Sequence, residues 1–265
     1  LQPISQFKGS IDDVRIYNRA LTEEQVKALY EWEKPKAEKP AEPQEPAFMK
    51  EGLVAYYPFN GNAKDESGNG NDGEVKGATL AEDCHEEKDG AYLFDGSDSI
   101  NCGDDISLAL KERVSISVWF ATTGKQGWLL SRWTDYNDRG QNYGLILLNG
   151  LPSFYLNHPV TDDFNLIGKG VDIIDGQWHH IIATWDKDGG DGNAKIYVDG
   201  KLNNQKTSPV ADLTTPEWMV QIGGGVGLQP ISQFKGSIDD VRIYNRALTE
   251  EQVKALYEWE KPKAE

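Results

Sequence analysis

Residues 1–38 (LQPISQFKGSIDDVRIYNRALTEEQVKALYEWEKPKAE) return unchanged as residues 228–265 of this 265-residue chain. An offset of 227 residues is far beyond the about 20–50 residues of a solenoid unit, so each period has room for a self-contained domain on a string. The identity extends to solvent-type residues such as Lys8, Glu23, Glu24 and Lys27, which no core demands. It therefore marks repetition of a whole unit rather than convergence on a shared fold. The first expectation is architectural, and any chemistry has to be argued separately.

One period suits a single large all-β domain plus a linker. A hydrophobic content of 38%, with eight Trp and eleven Tyr, fills a substantial core and excludes a disordered chain. The formal charge of −16 argues against nucleic acid and against anionic membrane surfaces, and favours solubility in calcium-rich surroundings. No run of about 18 apolar residues offers a membrane-spanning helix. A chain that starts at Leu1 in mid-repeat reads as a fragment, so the missing signal peptide carries no weight. Cys84 and Cys102 are the two cysteines. A disulfide between them would suit an extracellular protein and stabilise by about 3 kcal/mol; the alternative is two unpaired thiols in a reducing compartment. Their spacing gives no zinc motif.

Residues 1–33 read as the terminal strand and helix of a preceding repeat. Residues 34–51 form a Pro/Glu-rich linker, which buries no apolar area and stays extended. Residues 52–257 form the domain, and 258–265 begin the next linker. Within the domain, short apolar runs alternate with turns rich in Gly, Asn and Asp, the pattern of a sandwich or barrel. In VSISVWF (114–120), Val114, Ile116, Val118 and Phe120 share one face. Further strands are expected at 53–59, 91–94, 128–132, 143–148, 153–157, 179–185, 194–198, 201–203, 219–222 and 238–244. Thr249 and Gln252 form a capping box, Leu248 and Val253 take the staple positions, and Val253, Leu256 and Tyr257 make an apolar stripe. The expected fold is all-β: a two-sheet antiparallel jelly-roll sandwich with a short C-terminal helix.

The segments GLVAYYPFNGNAKDESGNGNDG (52–73), AYLFDGSDSI (91–100), VSISVWF (114–120), WHHIIATWDKDGGDGNAKIYVDGKL (178–202) and FKGSIDDVRIYNRALTEEQVKALY (234–257) stand in one order. Together they resemble the bacterial laminin-G-like domains of the concanavalin-A-like lectin/glucanase superfamily. The resemblance implies the sandwich fold; its members include lectins, glycanases, adhesion modules and inert spacers, so it leaves function open. It also implies a calcium ion held by the aspartate of the V-R-I-Y strand and a glycine carbonyl of an F-D-G turn. Those positions are Asp239 and Gly96, with Asp65 next in its D-x-S-G turn and Asp12 as the twin of Asp239. Strict alternation puts Asp239 on the face of Val241 and Ile243, where a carboxylate is costly without a cation or several donors. The competing reading is that Asp65 and Asp239 hydrogen-bond loop amides. The acidic stretch 186–192 reads as a solvated hairpin loop.

Retaining glycanases need two carboxylates about 5 Å apart, which on a strand demands a Glu-x-Asp-x-x-Glu type of run. None is present, nor is a G-x-S-x-G elbow. His179 and His180 read as structural, one inward and one outward. No enzyme is expected. A loop of Trp133, Asp135, Tyr136, Asn137 and Arg139 combines aromatic and hydrogen-bonding side chains suited to sugar, although large aromatics also fill sandwich cores.

Ile11, Val14, Ile16, Leu21, Val26 and Leu29 would expose an apolar ribbon unless residues 7–30 complete a sandwich. They either complete a neighbouring bead or complete residues 52–227 and hand their twin onward. The expectation is a calcium-stabilised, non-catalytic bead of an extracellular or cell-surface fibre or adhesin, its partners being copies of itself. The alternative is a lectin-like module that binds surface glycans.

Overall fold

The computed structural model describes residues 10–34, 45–133, 141–158, 162–213, 218–225 and 233–263. It comprises two units, Leu1–Glu45 and Pro46–Glu265. In the smaller unit, helix α1 (Glu23–Glu33) is capped by Thr22, whose hydroxyl accepts from Gln25 N–H while the Gln25 side chain accepts from Thr22 N–H. Arg15 Nε pairs with Glu33 Oε1 at 2.6 Å, tying the residues before the helix to its last turn. No residue of α1 is buried.

The larger unit contains, among the described residues, β1 (Leu53–Tyr57), β2 (Glu74–Lys76), β3 (Thr79–Ala81), β4 (Ala91–Asp95), β5 (Ser99–Asn101), β6 (Arg113–Ala121), β7 (Gly127–Trp133), β8 (Gln141–Leu148), β9 (Leu151–His158), β10 (Asp162–Ile167), β11 (Trp178–Asp186), β12 (Ala194–Val198), β13 (Lys201–Lys206), β14 (Val220–Ile222), β15 (Lys235–Tyr244) and helix α2 (Glu250–Glu260). They form two antiparallel sheets. The first runs β13-β12-β11-β6-β15-β4-β3, with β1 also on β15; the second runs β10-β9-β8-β7-β14-β5-β2.

Alternation explains the core. Val114, Ile116, Val118 and Phe120 of β6 point between the sheets and are fully buried, as their spacing requires. They meet Leu145, Leu147, Phe154 and Leu156 of the second sheet. The opposite face of β6 carries Ser115, Ser117 and Trp119, and it is buried as well because α2 lies over it. Val253 and Leu256 of α2 pack with Ile182, Tyr197, Tyr244, Leu248 and Met49 in a second cluster. Burial of each such aliphatic side chain contributes about 1.5–3 kcal/mol. The capping box of Thr249 and Gln252 is present.

β2, β3, β5 and β10 are strands that the apolar pattern does not signal. β2 (EVK) is exposed at every position, so it has no apolar face to register; it is a strand because β5 supplies its hydrogen-bond partners. The same logic separates the two copies of the repeat. The ladder partners β4, β1 and β6 make Lys235–Tyr244 a strand, while residues 10–17, which repeat 237–244, have no strand assignment. Ile243 is 0% exposed and its twin Ile16 is 94% exposed.

Candidate ligand-binding face

The inward side chains of the second sheet leave its other face to a different set of residues. Register carries one line across all seven strands: Asn165 beside Tyr155, Tyr155 beside Gly144, then Ser131, Gln221, Asn101 and Glu74. Most of these side chains are hydrogen-bonding groups. The Trp128 and Tyr155 rings lie 5.6 Å apart on the same face. Gly144 makes room for them: a Cβ there would sit 2.6 Å from a Trp128 ring carbon. Trp128 is buried, whereas Tyr155 and Asn165 are half-buried. Ser153 Oγ and Asn165 Oδ1 are buried oxygens with no hydrogen-bond partner among the described residues. Buried polar atoms left unmatched cost about 1–3 kcal/mol each, so this face holds unspent hydrogen-bonding capacity.

A second polar cluster lies on the outer side of the first sheet. Glu260 Oε1 accepts from Arg242 Nε at 2.7 Å and its Oε2 accepts from Trp119 Nε1 at 3.0 Å. Burial pulls the Arg242 guanidinium down, but Glu260, Tyr56 and Asp240 more than offset it and leave the net shift upward. His180 Nε2 lies 2.6 Å from Ser117 Oγ. Both residues are fully buried, and burial pushes the imidazole down to about 3. Glu260 approaches the same ring nitrogen as Ser117, at 3.7 Å, so the group lacks the relay of a nucleophilic triad. His179 is partly buried between Asp199 (3.0 Å) and Asp175 (3.2 Å). The pair alternates across β11, His179 on the Phe120 face and His180 on the Trp119 face beneath α2, so neither turns to solvent as one was expected to, and both are in structural contacts.

The calcium set expected from the sequence is not assembled. Lys235 stands opposite Asp95 and Ile238 opposite Tyr92. Gly96 is therefore five register steps from Asp239, about 16 Å at about 3.3 Å per residue. Asp65 already accepts from the N–H groups of Tyr56, Ser67 and Asn71 and from the Ser67 hydroxyl, each at 2.9 Å, the loop-amide role considered for it. Asp12 is exposed and accepts from Asp13 N–H. Among the described residues, no three acidic, His or Cys side chains are grouped to hold a metal ion. The residues present do not fit the ion, and no step below is routed through it.

Asp239 also faces the other way from its expected position. β15 carries an irregularity between Asp239 and Arg242, with Asp240 at a φ of 44°. The extra residue lets Ile238, Val241 and Ile243 all point into the core and turns Asp239 outward beneath α2. There, burial and the carboxylates of Asp240, Asp83 and Glu260 hold its carboxyl well above the usual range. A raised folded value means the fold binds this proton more tightly than the unfolded chain does. That contribution is complete below the ordinary carboxylate range and is lost as pH rises. Asp239→Asn mimics the protonated group and keeps the oxygen that accepts from Asp240 N–H at 2.7 Å. Thermal melts from pH 4 to 8 are expected to show the variant matching the parent at pH 4 and exceeding it at pH 8. A parent that melts higher at pH 8 would count against this assignment.

Cys84 and Cys102 are free thiols rather than a disulfide. Cys102 lies in the core between the sheets, and burial pushes it up to about 12. Cys84 lies on the outer side of the first sheet, 3.9 Å from the Glu260 carbonyl, so a sheet separates the pair. The backbone of Trp133 ends β7; its side chain and Asp135, Tyr136, Asn137 and Arg139 lie outside the described residues. The acidic loop after β11 is a solvated hairpin, with Arg113 bonded to Asp186 (2.9 Å) and Asp188 (3.0 Å).

Residues 94–254, more than half of the chain, match the laminin G-type family of the concanavalin A-like lectin/glucanases superfamily. The chain belongs to that superfamily. Sushi, von Willebrand factor type A, EGF and pentraxin domain-containing protein 1 of Rattus norvegicus is 28% identical over 172 residues. That stretch is 63% of this chain and 4% of the rat protein. Among solved structures, the binding domain of Paraclostridial Mosquitocidal Protein 1 has a TM-score of 0.64 at 19% identity, over 79% of this chain and 52% of that one. Domain 4 of AbnA, an extracellular GH43 arabinanase of Geobacillus stearothermophilus solved with arabinotriose, has a TM-score of 0.58 at 24% identity, over 77% and 98%. The ligand-binding domain of botulinum neurotoxin D, solved with N-acetylneuraminic acid, has a TM-score of 0.59 at 17% identity, over 80% and 52%. These likenesses establish a lectin-like fold within the superfamily.

Proposed function

We propose that this chain is a non-catalytic, extracellular glycan-binding module that takes sugar on the outer face of its second sheet. The observation that carries the reading is the pair of unmatched buried oxygens, Ser153 Oγ and Asn165 Oδ1, beside the Trp128–Tyr155 ring pair. Sugar rings offer apolar C–H faces for an aromatic surface and hydroxyls for such acceptors and donors. The structures solved with arabinotriose and with N-acetylneuraminic acid are sandwiches of this kind, which supports the ligand class without naming the sugar. Binding to a panel of oligosaccharides, measured by calorimetry on each positive, is the test. Tyr155→Ala and Asn165→Ala are each expected to weaken a hit about 5- to 150-fold, from about 1–3 kcal/mol per lost contact. Variants that bind as the parent does, or a panel with no positive, would overturn the proposal.

A second reading rests on the 38 residues that recur without change. It makes the module one bead of a tandem array in a surface fibre or adhesin, with other copies as its neighbours. Electron micrographs of the native material distinguish strings of regular beads from lone particles.

A further inference from the structure

Asn165 Oδ1 and Ser153 Oγ are buried on the neighbouring strands β10 and β9, with no partner among the described residues. Asn165 Oδ1 is an amide oxygen and can only accept a hydrogen bond. Whatever completes it must therefore bring an O–H or an N–H. A sugar hydroxyl does so, and so does the N–H of an acetamido group. A carboxylate, sulfate or phosphate does not, since its oxygens would meet the amide oxygen acceptor to acceptor. Ser153 Oγ both donates and accepts, so a hydroxyl satisfies it and no anion is required.

The charges on this face point the same way. An anionic sugar is held by Arg or Lys, whose N–H groups match its oxygens. Of the described side chains that register places on the outer face, Glu74 and Lys76 of the edge strand β2 are the charged ones. They pair with each other at 3.4 Å. Six strand spacings separate β2 from β10, about 29 Å at about 4.8 Å each, well beyond the reach of a screened surface charge. Arg132 of β7 belongs to the opposite face, in register with Tyr143 and Val220 of the core. Around the two oxygens the sheet presents hydroxyl and amide instead, with Ser131, Asn157 and Gln221 buried. The formal charge of −16 on the whole chain adds a general repulsion of anions.

We propose that the ligand of this face is an uncharged glycan, one that sets a hydroxyl or an acetamido N–H against Asn165 Oδ1, and that sialylated, uronic and sulfated sugars are rejected. This rests on the glycan-binding reading of the face and narrows it to one charge class.

The test is calorimetric titration of the full chain with matched oligosaccharides, each neutral glycan beside its sialylated, uronic or sulfated counterpart. The neutral member is expected to bind at least about 10-fold more tightly. Its affinity is expected to change less than about 2-fold between about 20 and 500 mM NaCl, because no charge pair is made. Asn165→Asp keeps the acceptor and the shape while adding a negative charge, so neutral binding is expected to hold within about 3-fold. Asn165→Leu removes the acceptor and is expected to weaken it about 5- to 150-fold. Tighter binding of the acidic member, affinity that falls steeply with salt, or loss of neutral binding in Asn165→Asp overturns this inference and leaves the face a glycan site. A panel in which neither member of any pair binds overturns the glycan reading itself, and this inference with it.

Discussion

Glu260→Ala is expected to destabilise the sandwich by about 3–5 kcal/mol, because it removes the carboxylate that the buried Arg242 guanidinium contacts directly. Arg242 and Glu260 side chains are 2% and 3% exposed, and their contact is 2.7 Å. The Tyr56 ring remains 3.5 Å from the guanidinium carbon, but an aromatic face offsets far less than a carboxylate. The same substitution removes the acceptor of Trp119 Nε1–H. Equilibrium unfolding in urea gives the number; a cost below about 1 kcal/mol would show that Arg242 does not depend on this partner.

Trp119→Ala is expected to cost a similar about 3–5 kcal/mol, the range for deleting a buried Trp. Its indole lies against both His180 (4.9 Å, 7° between planes) and Tyr257 (5.7 Å, 11°), rings that are themselves 6.0 Å apart, so its loss removes the largest of the three rings on which the end of α2 rests. Hydrogen exchange of the α2 amides is therefore expected to accelerate more than that of β8 or β9. Because Trp119 and Glu260 touch, the double variant is expected to cost less than the two single losses together, by about 0.5–3 kcal/mol. Strict additivity, or uniform exchange across the sandwich, would argue against α2 as a separately peeling layer.

Core and cap were legible in the residues, because each is a local pattern. Val114, Ile116, Val118 and Phe120 alternate within one strand, and Thr249 sits three positions before Gln252. The orientation of Asp239 was not, since alternation assumes an unbroken ladder and the Asp239–Asp240 step inserts a residue. Its signal was present in the three-residue spacing of Ile238 and Val241 around two acids. The binding face was less legible still. Glu74, Asn101, Ser131, Tyr155, Asn165 and Gln221 come from six strands and align only through register, which nothing along the chain announces. The cysteines misled for a related reason. Their separation of 18 positions suggested a loop, whereas β4 and β5 place them on opposite sides of a sheet.

The pairing of Leu53 with Tyr244 has a mechanical consequence. The backbone goes into the sandwich and comes out of its last strand at the same end of one antiparallel pair. Once α2 has been drawn off the sheet, tension applied through the two ends would part that pair one rung at a time, like a zipper, rather than shear all its rungs together. A domain wired this way yields rung by rung under modest pulling, where a sheared pair would hold until all its rungs failed at once.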